Sequence, residues 1–269
     1  MDSGKKTSIA NIKSFYSKWR GMNSGLAGIF AIIIIGVFPL AFRDYYVDIL
    51  NFKTFFYYKV VIIFAVVFLM VNVIFLILSI YLGCDRSTGR RRKICASDWS
   101  MLDFILIAGI STLQSATPAA ALLGNDGRYS GLLIWIAYAF MYFAVRRSLR
   151  LRQWYLDLFL GAGMGACIIG ILQYFDIDPI GFKNLMDPGQ YYMFMSTIGN
   201  ITTYTSYAAM LAGASVLLFF TEEVRIRKTW YLFCMSISFA ALITGMSDNA
   251  YLAIFALIGL LPLYAFKNL

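Results

Sequence analysis

The feature that most constrains this chain is the recurrence of long apolar runs separated by short polar segments. Eight of them stand out: Gly25–Phe42, Val60–Leu82, Met101–Leu113, Gly131–Val145, Trp154–Phe175, Tyr204–Phe220, Trp230–Met246 and Ala250–Phe266. A helix needs roughly 20 apolar residues to cross a hydrocarbon core of about 30 Å, and only helices or closed barrels satisfy their own backbone there. With 60% hydrophobic and 14% charged residues, the chain has too little polar surface to remain dissolved in water. The expectation is an all-α, polytopic transmembrane helical bundle of about eight spans, with residues 1–24 as a cytoplasmic tail and 25–269 as a multi-pass membrane domain. The basic opening segment, Met1 to Arg20, is followed by an apolar run without a small-residue cleavage site, so that run is expected to stay as the first span rather than leave as a signal peptide.

Charge sets the orientation. With the N-terminus inside, Lys5, Lys6, Lys13, Lys18, Arg20, Arg86, Arg90, Arg91, Arg92, Lys93, Arg146, Arg147, Arg150, Arg152, Arg225, Arg227, Lys228 and Lys267 all fall on the inner side. Only Arg43, Lys53, Lys59, Arg128 and Lys183 fall outside, an eighteen-to-five bias that alternates at every loop. The bias expects both termini in the cytoplasm. The net charge of +9 is spent in these clusters, which read as topology signals and not as a nucleic-acid surface.

Histidine is absent, which removes the commonest general base and metal ligand. The four cysteines show no CxxC spacing; Cys167 and Cys234 lie in apolar runs, while Cys84 and Cys95 flank the basic cluster. No metal, cofactor or catalytic residue is expected from these patterns. Gln114 to Ser130, broken by Pro118, Gly124 and Gly127, reads as interfacial or re-entrant. Asp44 to Lys59, crowded with tyrosines and phenylalanines, reads as an outer loop forming an interfacial aromatic belt.

Three outer segments carry the chemistry. In Gly124-Asn125-Asp126-Gly127-Arg128-Tyr129-Ser130-Gly131-Leu132 the arginine defies the charge bias. Its guanidinium suits phosphate or carboxylate oxygens, with glycines letting backbone amides approach the same anion. Snorkelling at the outer boundary accounts for it equally well. Ser196 to Tyr207 offers hydroxyls and Asn200 at the entry to the sixth run, able to bind a sugar or headgroup; a helix cap with interhelical bonds is the plainer account. Thr244 to Tyr251 places Asp248 in a tight turn, to pair with Arg128, to orient a donor hydroxyl or simply to cap a helix. Asp103 and Asp157 sit near inner helix ends, within reach of water or arginines, and Gly161, Gly165 and Gly170 are read as permitting close helix packing.

Together these segments resemble the O-antigen ligase and polymerase family of bacterial envelope enzymes. The likeness rests on Gly124 with Arg128-Tyr129-Ser130-Gly131-Leu132, on Thr197-Ile198-Gly199-Asn200 with Tyr204 and Tyr207, and on Thr244 to Ala253, where Asp248 stands in place of the family's arginine. It covers roughly Gly124 to the C-terminus. The resemblance implies a membrane glycosyltransferase moving a glycan from an undecaprenyl diphosphate carrier, at the outer face of the cytoplasmic membrane, without metal or cofactor. Arg128, Tyr129, Asn125, Asn200 and Asp248 would then touch the lipid-linked donor, with Arg128 on the diphosphate. Family members continue into further helices and a large outer loop with a functional histidine, so this chain is expected to be an N-terminal portion, inactive alone, or a divergent member. The rival expectations are a transporter or flippase, which would show inverted repeats or ionisable groups deep in its spans, and a non-catalytic assembly protein.

Overall fold

A computed structural model describes residues 2–83, 94–125 and 129–267, with side chains from 14 to 259 in that set. The described chain is overwhelmingly helical: α1 (Asp2–Ile32), α2 (Ile49–Tyr81), α3 (Ala96–Leu113), α4 (Pro118–Leu123), α5 (Leu132–Ser148), α6 (Gln153–Tyr174), α7 (Ile201–Thr221), α8 (Arg225–Gly245) and α9 (Asp248–Lys267). Among the described residues, six helical stretches are long and apolar enough to cross a membrane: Ser14–Val37, Ile49–Tyr81, Ala96–Leu113, Gln153–Tyr174, Ile201–Thr221 and Arg225–Gly245. α5 has 17 residues, and the described apolar part of α9, Asp248–Gly259, is shorter still. The chain is a multi-pass membrane protein of all-α class. α2 shows why: Ile62, Ile63, Leu69, Met70, Ile74 and Ile77 are all exposed, and its mean hydropathy reaches 3.3. Such a surface suits hydrocarbon, whereas soluble proteins rarely present apolar patches of this size.

Several boundaries depart from the apolar runs. α1 is helical from Asp2, so the polar segment before Gly25 continues the first helix. Its far end is a π-helical turn, Ile33–Val37. α2 begins at Ile49 rather than Val60, so most of the aromatic segment expected as a loop is helical. Lys53, there counted among loop cations, donates from Nζ to the carbonyls of Phe38 (3.0 Å) and Pro39 (3.4 Å), meeting backbone acceptors left free where the first helix ends. The Gln114–Ser130 segment contains α4, opened by Pro118 at its first position. The basic cluster Arg86 to Lys93 and Cys84 lie outside the described residues.

Two compact units divide the chain: Met1–Ala31 with Thr54–Leu151, and Ile32–Lys53 with Arg152–Leu269. In the first, α1 and α2 are joined by a reciprocal amide pair. Asn23 Nδ2 donates to Asn72 Oδ1 (3.1 Å) and Asn72 Nδ2 donates to Asn23 Oδ1 (3.2 Å). Trp19 Nε1 donates to the same Asn72 oxygen. Where lipid gives helices no hydrophobic reason to associate, such polar pairs and close packing hold them.

The second unit packs α6, α7 and α8 around Leu160, Met164, Cys167, Tyr204, Leu211, Tyr231 and Leu242. α6 and α7 meet at two glycines one heptad apart. A Cβ on Gly163 would collide with the Leu211 methyls, and one on Gly170 would meet the Tyr204 ring, with Cζ at 2.5 Å. Gly245 similarly faces Thr205. Gly161, by contrast, faces nothing, and Gly165 makes only a modest approach to Leu40, at 3.3 Å. At the α6 N-terminus, Tyr231 donates to Asp157 (3.0 Å), so that carboxylate is engaged between helices.

Candidate functional site

The segment between α6 and α7 is a folded platform. Phe194–Met195 and Gly199–Asn200 pair as a minimal antiparallel ladder, Phe194 opposite Asn200 and Met195 opposite Gly199. The turn they close is buried: Ser196 and Thr197 are inaccessible. Ser196 has φ of 61°, a left-handed conformation that costs a non-glycine residue about 1 kcal/mol or more. Three hydrogen bonds hold it: its N–H donates to Gln173 Oε1 (2.7 Å), its Oγ donates to the Ala166 carbonyl (2.6 Å), and its carbonyl accepts from Tyr46 (2.9 Å). Gln173 Nε2 donates in turn to Asp178, whose other oxygen accepts the Lys183 N–H. Thr197 donates to the Pro39 carbonyl at 2.8 Å. Burial pushes the Tyr46 phenol well above its ordinary value, so it remains a donor. Beside it, the Arg43 hydrogen bond holds the Asp48 carboxyl below the usual range.

On this platform α7 begins. Asn200 caps it, its side-chain oxygen accepting from the N–H groups of Thr202 (3.0 Å) and Thr203 (3.2 Å). The turn between α8 and α9 abuts the same end. Thr205 and Ser247 share a hydrogen bond of 2.7 Å, and Asn249 Nδ2 donates to Ser206 Oγ at 3.3 Å. Ser247, not Asp248, caps α9, accepting the Ala250 N–H through both its carbonyl and its hydroxyl. The result is an exposed polar rim of Thr202, Thr203, Ser206, Asp248 and Asn249, with half-buried Asn200 at its edge and two helix N-termini beneath it. Amides and hydroxyls arranged this way both donate and accept, as sugar hydroxyls require.

Of the residues singled out in the sequence, Asn200 and Asp248 thus belong to adjoining turns of one unit. Asn125 and Tyr129 belong to the other unit. There Gly124 (φ 86°) and Gly131 bring backbone against backbone, since a Cβ on Gly124 would stand 2.5 Å from Ser130 N. That contact closes the loop at its neck. Asn125 is exposed, its carbonyl accepts the Tyr129 N–H (3.0 Å), and the Tyr129 ring lies 5.6 Å from that of Phe55. Arg128, with Asp126 and Gly127, lies outside the described residues, as does any pairing of Arg128 with Asp248.

The first unit also holds a cluster that no motif announced. Arg146 at the end of α5 pairs with buried Asp98 and donates to Cys95 Sγ (2.8 Å). Ser97 shares a 2.8 Å hydrogen bond with the same sulfur and accepts from Tyr142 (2.9 Å). The Ser97 hydrogen bond, aided by Arg146, holds the Cys95 thiol below its ordinary value. Among the described residues no three Cys, Asp or Glu side chains converge to hold a metal ion.

Compared with protein-family models, curated proteins and solved structures, the chain finds no match.

Proposed function

We propose that this membrane protein engages an undecaprenyl diphosphate-linked glycan at the outer face of the cytoplasmic membrane, as O-antigen ligases and polymerases do. In this reading it has eight spans and cytoplasmic termini. The observation that carries the reading is the rim where α7 and α9 begin: Asn249–Ser206 and Thr205–Ser247 bonds join two turns into one exposed surface of hydroxyl, amide and carboxylate groups. Such a surface in a membrane helix bundle is costly unless it meets water or a polar ligand. A lipid-linked sugar supplies the ligand while its carrier remains in hydrocarbon. Arg128, from the sequence, is assigned to the diphosphate.

The test uses the full chain in nanodiscs, titrated with undecaprenyl diphosphate bearing an oligosaccharide and with the bare carrier. The glycan-bearing lipid should bind more tightly. Asn249→Ala should lose about tenfold of that preference, the worth of one hydrogen bond, and Arg128→Ala should weaken both ligands. Equal affinity for the two lipids would remove the glycan from the proposal. Ser247→Cys, labelled by an impermeant thiol reagent from outside intact cells, checks the side on which the rim lies.

A further inference from the structure

Between α3 and α5, in the first unit, runs a groove of roughly 410 Å³ lined by Ser97, Ser100, Met101, Phe104, Trp135, Tyr138 and Tyr142. Its α3 wall is one helix face, at spacings of three, four and seven residues; its α5 wall repeats that spacing in the opposite direction. The groove is therefore graded along its length. Ser97, Ser100 and Tyr142 put hydroxyls at one end, whereas Phe104 and Trp135, with rings 5.1 Å apart edge to face, close the other. Seven residues of helix separate Ser97 from Phe104, or about 10 Å.

Cations gather at the hydroxyl end. Arg146 continues the groove-lining face of α5 beyond Tyr142 and is tied to Asp98. Arg147, over the Phe143 ring at 5.8 Å, and Arg150 are exposed just past it. Against these stand buried Asp98 and, exposed on α3 outside the groove lining, Asp103. The mouth is net positive, its neck is hydroxylated and its far end is aromatic.

We infer that the α3–α5 groove is a binding site for an anionic phospholipid, its acyl chain along Met101, Phe104 and Trp135 and its phosphate among Ser97, Ser100 and the Arg147–Arg150 cations. Charge complementarity selects this occupant. A zwitterionic lipid would fill the apolar end equally well but gain nothing from the surplus positive charge, while each Lys or Arg near an anionic surface favours it measurably. A fully apolar ligand would likewise gain nothing from that charge.

Trp135 reports directly on the groove. The chain carrying Phe at Trp19, Trp99, Trp154 and Trp230 is reconstituted with brominated phosphatidylglycerol or brominated phosphatidylcholine at equal mole fraction. Quenching of Trp135 should favour phosphatidylglycerol. Arg147→Gln should cut that preference by about fivefold, corresponding to ~1 kcal/mol per cation. Arg225→Gln, at the start of α8 in the other unit, should leave it unchanged. Equal quenching by the two lipids, or a preference indifferent to Arg147→Gln and Arg150→Gln, overturns the proposal. Should the four-tryptophan replacement fail to fold, native mass spectrometry of the otherwise unaltered chain against Arg147→Gln/Arg150→Gln decides the same point, by whether phosphatidylglycerol adducts survive delipidation preferentially in the former alone.

Discussion

Gly163→Ala adds one methyl group to α6 where α7 leaves no room. The new Cβ would overlap both methyls of Leu211, and even Leu211 Cγ stands only 2.9 Å away. Leu211 is wholly buried, so it cannot swing into lipid, and forcing the helices apart also strains the Gly170–Tyr204 contact one heptad along. Overpacking of this kind costs typically 1–3 kcal/mol, and we expect about 2. Leu211→Ala deletes the colliding atoms and leaves a cavity. In hydrocarbon the transfer part of that cost shrinks but the lost dispersion contacts remain, so about 2–3 kcal/mol is expected. The double substitution places the new methyl in that cavity and should cost about 2 kcal/mol in total. The pair should therefore be coupled by ~2 kcal/mol, well beyond the few tenths expected of independent sites. Detergent-driven unfolding followed by helical circular dichroism, on the four members of the cycle, measures it. Additive costs, or a neutral Gly163→Ala, would refute the reading of this contact.

Gln173→Leu should leave the buried Ser196 N–H without its acceptor, cost about 1–3 kcal/mol, and accelerate tryptic cleavage after Lys183 as the platform loosens. Asn72→Leu strips partners from Asn23 and Trp19 together and should lower the unfolding midpoint by the equivalent of about 1 kcal/mol, read by the same detergent titration. For Cys95, whose thiol is held low chiefly by the Ser97 hydrogen bond and then by Arg146, Ser97→Ala should raise the thiol pKa. In a Cys84→Ser background the curve of alkylation rate against pH should then move to higher pH, with buried Cys167 and Cys234 contributing little at any pH.

The apolar runs were legible because hydrocarbon demands them, and each is helical over most of its length, although Gly25–Phe42 runs on past the helical end at Val37. Their ends were not legible, because hydropathy registers lipid contact and is blind to helix that extends beyond it. Residues 2–24 and Phe52–Lys59 are helical yet too polar or too mixed to extend an apolar run. Lys53 lies within α2 and not in a loop, and meets the carbonyls that end the first helix. Glycine was recognised as a packing residue, but the choice among Gly161, Gly163 and Gly165 depends on which face of α6 turns toward α7. In a helix apolar all round, no sequence period reveals that face. Gln173 went unremarked for a related reason: one polar residue in an apolar run carries no signal until its partners 23 and 127 residues away come together. The rim was half visible. Asn200 announced itself as a cap, while the Asn249–Ser206 bond, across 43 residues, could not be read from either segment.

α7 shows how the scaffold and the candidate site can be separated. Its inward side chains, Tyr204, Ala208, Leu211 and Ser215, are fully buried, and Tyr204 also donates to the Cys167 carbonyl at 3.2 Å. Its first turns present Thr202, Thr203 and Ser206 outward; of these, Ser206 also accepts from Asn249 of the α9 turn, while Thr202 and Thr203 are exposed at the rim. A loss of ligand binding on changing Tyr204 would therefore say little about chemistry, since α6 would shift and carry Ser196 and Gln173 with it. Loss on changing Thr202 or Thr203 to Ala is a different matter. Those substitutions remove one exposed hydroxyl from a helix that alanine favours, so the unfolding midpoint should hold or rise while binding of a glycan-bearing lipid falls. A fall in both together would mean that the rim is part of the packing after all.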